Sequence, residues 1–372
     1  MGNFSKQFEL YSGNTPSRLN KDYFKGEINW ISSGELKDHY IYSSKEKISQ
    51  EASLNLKLLP AGTFVIAIYG LEAEGVRGTG SIIKEQSTIS QACMAFSSIG
   101  EVENEFLYSW YKKHGNIIGL KYAQGTKQQN LSYDILERFK IAYPSKQEQE
   151  KLCNFISLLD ERIATQNKII EDLKKLKSAI IEMEYGNMAK SISHIGDFIE
   201  QTSKRNKDSV ILNVLSVSNS QGFIQQSEQF ENRIVASDDT SNYKIVARND
   251  FAFNPARINV GSIARLTTFE RGIVSPMYIC FRTKNNLFPE YLDYFFESKR
   301  FFAEIQKRLE GSVRQCLSFE GLCNIPLCIP TVEVQQQIGK RLSTLAKEIK
   351  LEIDFLELLQ RQKRFLLHQM FI

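Results

Sequence analysis

Histidine, tryptophan and proline are scarce in this chain, at 4, 2 and 8 of 372 residues. The four histidines, His39, His114, His194 and His368, stand alone in sequence, and nothing recommends a nucleophile–histidine site. The six cysteines (Cys93, Cys153, Cys280, Cys316, Cys323 and Cys328) form no Cys-x-x-Cys pair. No histidine lies close to the last three, so they read as small buried hydrophobes and not as a zinc site. A phosphate-cradling Gly-x4-Gly-Lys-Ser/Thr loop is missing, so an ATP-driven motor is not expected in this chain. No apolar run approaches the ~18 residues of a membrane span. The N-terminus, "MGNFSKQFELYSG", lacks the basic-then-apolar pattern of a signal peptide, which makes the cytoplasm the expected location. Single-sign charge blocks are absent too. The net charge is +4; residues 1–144 carry 16 basic and 15 acidic side chains, and residues 187–330 carry 17 and 15. Contact with a polyanion would therefore come from local patches.

What the chain does have is a repeat. "YPSKQEQEKLCNFISLLDERI" at 143–163 is echoed by "IPTVEVQQQIGKRLSTLAKEI" at 329–349, an offset of 186 in a chain of 372. At that offset Pro144 meets Pro330, Ser145 meets Thr331, and Gln149 meets Gln335. "GTKQQNLSY" (125–133) aligns with "GSVRQCLSF" (311–319), and "EFLYSWY" (105–111) echoes "EYLDYFF" (290–296). "GSI" recurs at 80–82 and 261–263, and "FELYSGNTPSR" (8–18) weakly echoes "IGDFIEQTSKR" (195–205). Agreement is best in the segments that follow Pro144 and Pro330, and poorest in the loops.

Those segments read as long helices. Ser145 with Glu148 three residues on forms a capping box, and Thr331 caps the second copy alone. Apolar residues fall at Leu152, Ile156, Leu159, Ile163, Ile170, Leu173 and Ile180, with Ile169, Leu176 and Met183 widening the stripe. In the second copy they fall at Ile338, Leu342, Leu345, Ile349, Leu356, Leu359 and Leu366. Gln166/Glu352 and Lys177/Lys363 interrupt both stripes at equivalent places. A helix of ~40 residues is ~60 Å long, more than one globular core can cover, so each stripe needs another helix. The twin is the obvious partner. An antiparallel pair is the economical choice, because it lets the two preceding modules occupy opposite ends. The expected plan is α+β, with a pseudo-two-fold internal repeat: a module over 1–143, a spacer helix over 144–186, a second module over 187–329 and a second helix over 330–372. Within the modules, "TFVIAIY" (63–69), "ISQACMAF" (89–96), "NVLSVS" (213–218) and "IVSPMYICF" (273–281) read as strands. Helices are expected over 105–115 and 289–311, ended by Gly115 and Gly311.

This order of module, long helix, module, long helix resembles the specificity subunit of type I restriction–modification systems. The resemblance spans essentially the whole chain. It rests on Pro-Ser/Thr-x-x-x-Gln opening each helix, and on "NWISSGELK" (29–37), "GTKQQNLSYDIL" (125–136), "NPARINVGSIA" (254–264) and "GSVRQCLSFEGL" (311–322). It implies two target recognition domains, each reading one half of an asymmetric, bipartite site in double-stranded DNA. It also implies that the helices form an antiparallel coiled-coil spacer and dock two methyltransferase subunits, with motor-nuclease restriction subunits joining the complex. S-adenosylmethionine, Mg and ATP would then belong to the partners, with no cofactor and no catalysis in this chain. One departure is the short start before "FELYSGNTPSR", which leaves open whether the C-terminal tail completes the N-terminal edge.

Base edges are read by Arg or Lys at guanine, Asn or Gln at adenine and Ser or Thr at either, while phosphates take Lys, Arg and backbone N–H groups. On polar, Gly-bearing loops the candidates in the first module are Ser32, Ser33, Lys37, Arg77, Thr79, Lys127 and Gln128. In the second they are Ser218, Asn219, Arg257, Asn259, Ser262 and Arg314. Each competes with an ordinary solvated-loop role. Gln129 and Gln315 read as structural, since both copies keep them beside Leu-Ser. Arginine is uneven, ten between 187 and 330 against three between 1 and 144. This favours guanine or minor-groove contacts by the second module and lysine–phosphate contacts by the first.

Two catalytic look-alikes are weak. "FNPAR" (253–257) has Ala256 and Arg257 where an adenine methyltransferase needs proline and a stacking aromatic, and no Gly-rich cofactor loop precedes it. Asp22 with Glu35-Leu36-Lys37 has the spacing of a metal-dependent nuclease, a short pattern that arises often by chance. The reading from a different class is a rod-like adaptor whose two modules bind proteins.

Overall fold

The computed structural model describes residues 2–73, 75–186, 193–219, 221–226, 239–311 and 315–371. The chain divides into two units, one holding Met1–Asn167 with Phe355–Ile372, the other Lys168–Asp354. The first unit contains strands β1 (Phe8–Ser12), β2 (Ile28–Ile31), β3 (Tyr40–Ile41), β4 (Glu46–Ile48), β5 (Phe64–Ala67), β6 (Gly80–Ile83), β7 (Ser87–Ile89) and β8 (Cys93–Ser98). They form a five-stranded sheet, β1-β8-β5-β6-β3, and a three-stranded sheet, β4-β2-β7, in which β2 and β7 run parallel. Helix α1 (Asn104–Tyr122) packs on β5, β6 and β8, and the chain then enters α2 (Lys146–Gly186).

The second unit repeats the plan. Strands β9 (Ile199–Thr202), β10 (Val214–Ser218), β11 (Gly222–Gln225), β12 (Lys244–Ala247), β13 (Phe251–Phe253), β14 (Ile263–Arg265), β15 (Arg271–Val274) and β16 (Ile279–Thr283) make sheets β9-β16-β13-β14 and β11-β10-β15-β12. The β10–β15 pair is parallel, like β2–β7. Helices α3 (Pro289–Phe295) and α4 (Lys299–Gln306) follow, and then α5 (Val332–Met370). One edge differs. In the first unit β3 extends the sheet beyond β6, whereas among the described residues β14 is the last strand of its sheet.

Apolar residues explain the layers. Phe4 meets Phe8, Phe96 and Trp110 edge-on at centroid distances of 5.5, 6.0 and 5.6 Å. The second core centres on Phe251, Phe253, Phe281, Phe295 and Phe301, all fully buried. Each such ring contributes about 2–3 kcal/mol by leaving water, an upper figure because an unfolded chain already hides some of it.

Three expectations about elements change. "ISQACMAF" and "IVSPMYICF" are each two strands in two different sheets, β7 then β8 and β15 then β16. A continuous apolar run marks burial on both faces but does not show where the chain changes sheet. Gly115 does not end a helix; it lies buried inside α1, where the Gly78 loop passes so closely that a Cβ on Gly78 would stand 2.7 Å from the Asn116 nitrogen. The helix expected over 289–311 breaks after Phe295, because Ser298 donates to the Phe295 carbonyl (2.7 Å) and accepts from Phe301 N–H (3.2 Å), capping α4 afresh. The start is also re-registered. A helical turn, Phe4–Gln7, precedes β1 just as Ile195–Phe198 precedes β9. Ile199 is therefore the counterpart of Phe8, four residues beyond the echo read from the sequence. Gly2–Asn3 pairs with Lys140–Ile141, so an internal strand completes that edge.

In each unit the pieces of the long helices run side by side. In the first, Leu152 and Ile156 share a core with Leu367 and Phe371, Asp160 pairs with Lys363, and Arg162 lies over the Phe355 ring at 5.5 Å. Positions rise along α2 as they fall along α5, so the pairing is antiparallel. In the second, Ile181 and Tyr185 share a core with Ile338 and Leu342, and Glu184 pairs with Arg341. All fourteen stripe residues named above are buried or half-buried: Leu152, Ile156, Leu159, Ile163, Ile170, Leu173, Ile180, Ile338, Leu342, Leu345, Ile349, Leu356, Leu359 and Leu366. Ile169, Leu176 and Met183 do not widen this buried stripe; they are exposed.

Each helix end carries an aromatic plug at the 186-residue offset. Tyr185 packs on Tyr291 and Phe295 (4.9 and 5.8 Å) and donates to the Tyr291 carbonyl at 2.8 Å. Phe371 packs on Phe106 at 5.1 Å, and Lys113 donates to the His368 and Phe371 carbonyls. The C-terminal segment thus closes the core of the first unit.

Candidate nucleic-acid interface

In each unit the loop after the central strand (β5 or β13) is tied to the recurring Gly-Thr/Ser loop. Leu131 N–H donates to the Ile68 carbonyl (2.9 Å), and Leu317 N–H to the Pro255 carbonyl (3.0 Å). The recurring loops close by equivalent two-way backbone bridges, Gln124 with Asn130 and Glu310 with Cys316. Gly125 takes φ +116°, and a Cβ there would strike the Gln128 carbonyl at 2.0 Å, so this turn requires glycine. The scaffold is therefore common to both units, and the side chains at the loop tips differ.

In the first unit this geometry presents Lys127 and Gln128 to solvent beside the loop that carries Arg77 and Thr79. Thr79 is half-buried and donates to the Val76 carbonyl at 2.7 Å. Arg77 is half-buried with its stem against α1: a Cβ on Gly119 would meet Arg77 Cγ at 2.6 Å. Its Nε is buried and has no hydrogen-bond partner among the described residues. Ser32 and Ser33 lie half-buried in the turn after β2, which packs against β5, and Lys37 is exposed. Gln129 is half-buried; its N–H donates to Glu72 (2.9 Å) and its carbonyl accepts from Leu71 (3.0 Å). Gln315 is exposed, which does not suit a structural role.

In the second unit Ser218 and Asn219 sit at the β10–β11 turn, close to Gly261 (φ +91°), whose Cβ would stand 3.7 Å from the Asn219 carbonyl. Arg257 is exposed and Asn259 half-buried on the adjoining turn. Ser262 is buried and donates to the Val217 carbonyl at 3.3 Å, stitching the two turns together and unable to reach a base. Arg314 lies outside the described residues.

Two features were missed. A loop over 203–208 exposes Lys204, Arg205 and Lys207 around a cavity of about 610 Å³. It is shaped by buried Asn206, which bonds both ways to the Ile211 backbone (2.9 and 3.2 Å). The "SKRNKD" triplet of cations was the available signal. In the first unit, Arg18 is instead paired with Glu46 at 2.6 Å and stacked on Phe24. Beside Ser218, Asn219 and Gly261 lies a cavity of about 540 Å³. On its wall, Arg265 donates to Asp293 (3.0 Å) and Asn249 (2.9 Å), and Lys177 pairs with Glu297 (2.6 Å). Burial pushes the Asp293 carboxyl above its ordinary range, against the pull of Arg265. Nothing in the sequence joins Arg265 to Asp293 across 28 residues.

In the first catalytic look-alike Asn254 Oδ1 accepts from Ala256 N–H at 3.1 Å, within its own turn. In the second, Asp22 pairs with Lys25 (3.0 Å), while Glu35 accepts from Ser32 and Lys45 N–H groups. Among the described residues no cluster of three or more His, Cys, Asp or Glu side chains could hold a metal. No helix among them is long and apolar enough to cross a membrane.

The fold and its paired loops define a protein built twice from one recognition domain. The family model of the type I restriction modification DNA specificity domain matches residues 7–175 and again residues 190–361, and the chain belongs to that family. The type I restriction enzyme MjaIX specificity subunit of Methanocaldococcus jannaschii is 31% identical over 176 residues. That stretch covers 45% of this chain and 39% of that protein, well short of the relative's full length. The crystal structure of the type I system S subunit from M. genitalium is similar in fold at a TM-score of 0.60 and 15% identity, covering 100% of this chain and 95% of that one. A chain from a structure concerned with complex assembly and conformational transition of the type I R-M system is similar at 0.57 and 13%, covering 98% and 97%.

Proposed function

We propose that this chain is the DNA specificity subunit of a type I restriction–modification complex in the cytoplasm, non-catalytic itself. Each unit reads one part of an asymmetric, two-part duplex site. The observation that carries this is the loop pair tied by one equivalent bond in both units, with Arg77, Thr79, Lys127 and Gln128 on the loops of the first and Arg257 and Asn259 on those of the second. A common scaffold with different side chains suits two unlike half-sites. The long helices offer docking surfaces for two methyltransferase subunits. Beyond the buried stripe, α2 exposes Ile169, Leu176 and Met183, and α5 exposes Leu351, Leu358 and Phe365, in each case seven residues apart. Motor-nuclease subunits join through that complex. S-adenosylmethionine, Mg and ATP serve chemistry in these partners.

The test is methylome sequencing of cells expressing this chain with its cognate methyltransferase subunit, against an empty-vector host. New methylated bases confined to one asymmetric two-part motif support the reading. A stable complex that leaves no motif favours the adaptor alternative.

Two kinds of contact separate in the assembled complex. Arg257→Ala relaxes discrimination at one base pair of the second half-site by about 1–3 kcal/mol. Lys204→Gln with Lys207→Gln weakens binding almost equally on all sequences and flattens the salt dependence by roughly one to two phosphate contacts. Binding titrations at several salt concentrations check both, and identical behaviour of the two variants would contradict the assignment.

A further inference from the structure

The glutamine of the Pro-Ser/Thr-x-x-x-Gln motif is fully buried in both copies. Gln149 Nε2 donates to the Glu101 carbonyl (2.9 Å) and the Pro144 carbonyl (3.0 Å), and its Oε1 accepts from Glu103 N–H (3.0 Å). Gln335 Nε2 donates to the Asn286 carbonyl (3.1 Å) and the Pro330 carbonyl (2.9 Å), and its Oε1 accepts from Phe288 N–H (2.8 Å). Every partner is a main-chain group, and the two sets sit at offsets of 185 or 186 residues. Glu101–Glu103 and Asn286–Phe288 lead directly into α1 and α3, the helices that floor each recognition domain. One side chain therefore binds the first turn of a spacer helix to the base of the domain that precedes it. Three bonds through one planar amide fix position and rotation together, which a single bond would not.

From this geometry we infer that Gln149 and Gln335 are positioning residues that set the direction in which each recognition domain leaves its spacer helix, and so the gap length at which both half-sites are read. The lever is short and the tolerance small. A domain ~30 Å across that tilts by about 6–7° moves its far side by ~3.4 Å, one base-pair step. Loss of the amide frees a tilt of that order without touching any side chain at the loop tips. A bland role, stability alone, would weaken all sites alike.

The inference rests on the bipartite-reading function proposed above, and its test keeps the two apart. Duplexes carrying both half-sites with the natural gap, or a gap one base pair shorter or longer, are methylated by the assembled complex. The wild type loses about a hundredfold for one step of misplacement. Gln335→Met, an apolar near-isostere, is expected to lose about tenfold less than that while keeping its preference for each half-site sequence. Gln149→Met makes the same prediction from the other half. A uniform drop at all three gaps overturns the inference, as does an unchanged gap profile in a folded complex. If both variants fail to assemble, the glutamines are structural and the positioning role falls. If the wild type shows no two-part site, the function reading fails first and takes the inference with it.

Discussion

Exchanging residues 1–143 for the matching segment of a family member with another target is expected to replace one part of the methylated motif. The other part and the gap should stay as they were. The junction falls before Pro144 and the Ser145 cap, where the Ser145 N–H and hydroxyl both donate to Glu148 (3.1 and 2.8 Å). These bonds hold the Glu148 carboxyl below its usual range. Across that junction Gln149 takes hold of the Glu101 carbonyl and Glu103 N–H, main-chain groups that any sequence without proline at position 103 supplies. The far end of α5 is held in the same way, by Lys113 on two carbonyls and by Phe371 on Phe106. A foreign domain thus needs little more than an aromatic at the Phe106 position and a cation at Lys113. The expected effect is large, because each mismatched base pair in a specific site costs about 1–3 kcal/mol, adding over several positions. Methylome sequencing of the exchanged chain reads it directly. A motif changed in both parts would mean that the units do not read independently, and an unchanged motif would place the first half-site outside residues 1–143.

How much of this was open to reading from the sequence depends on the range of the interaction. The long helices were legible because caps, proline-free runs and a seven-residue apolar spacing are local signals, and the α+β class followed from short apolar runs alternating with helical patterns in each module. Which apolar positions face inward was less so: Ile170 and Ile169 are neighbours in sequence, yet one is 6% exposed and the other 41%. The sheet changes within "ISQACMAF" and "IVSPMYICF" were hidden, since both sheets demand the same apolar residues. At the candidate interface, loop membership was visible from Gly-rich composition, but accessibility was not. Ser262 is spent on the Val217 carbonyl 45 residues away, and Arg77 lies along α1. The same limit applies to His39, which stacks between Tyr40 and Tyr108 (both 3.9 Å) and bonds Glu105 at 2.9 Å. Burial raises that carboxylate's pKa, but His39, Tyr40 and Lys84 together outweigh burial and leave it below its ordinary range. Gln149 and Gln335 were visible as a repeated letter, while the four of their six partners that lie 46 to 49 residues distant were not.

The plugs at the helix ends lead to the second large effect. Tyr185→Ala is expected to destabilise the second unit by about 3–5 kcal/mol, the usual cost of emptying a buried aromatic site. Tyr185→Phe, which keeps the ring and loses only its bond to the Tyr291 carbonyl, should cost about 1 kcal/mol. The contrast matters because ring packing on Tyr291 and Phe295, and not the hydroxyl, holds the end of α2 in this core. A chain of two units need not unfold in one step, so a single melting temperature would blur the result. Amide hydrogen exchange resolves it. Strands β13 and β16 should exchange faster by a factor on the order of 10²–10⁴ in Tyr185→Ala, while β5 and β8 stay as protected as before. Phe371→Ala should give the mirror result through Phe106, loosening β5 and β8 and sparing β13 and β16. Equal loosening of both sets by either variant would show that the units unfold as one body. Equal damage from Tyr185→Phe and Tyr185→Ala would shift the weight from packing to the hydrogen bond.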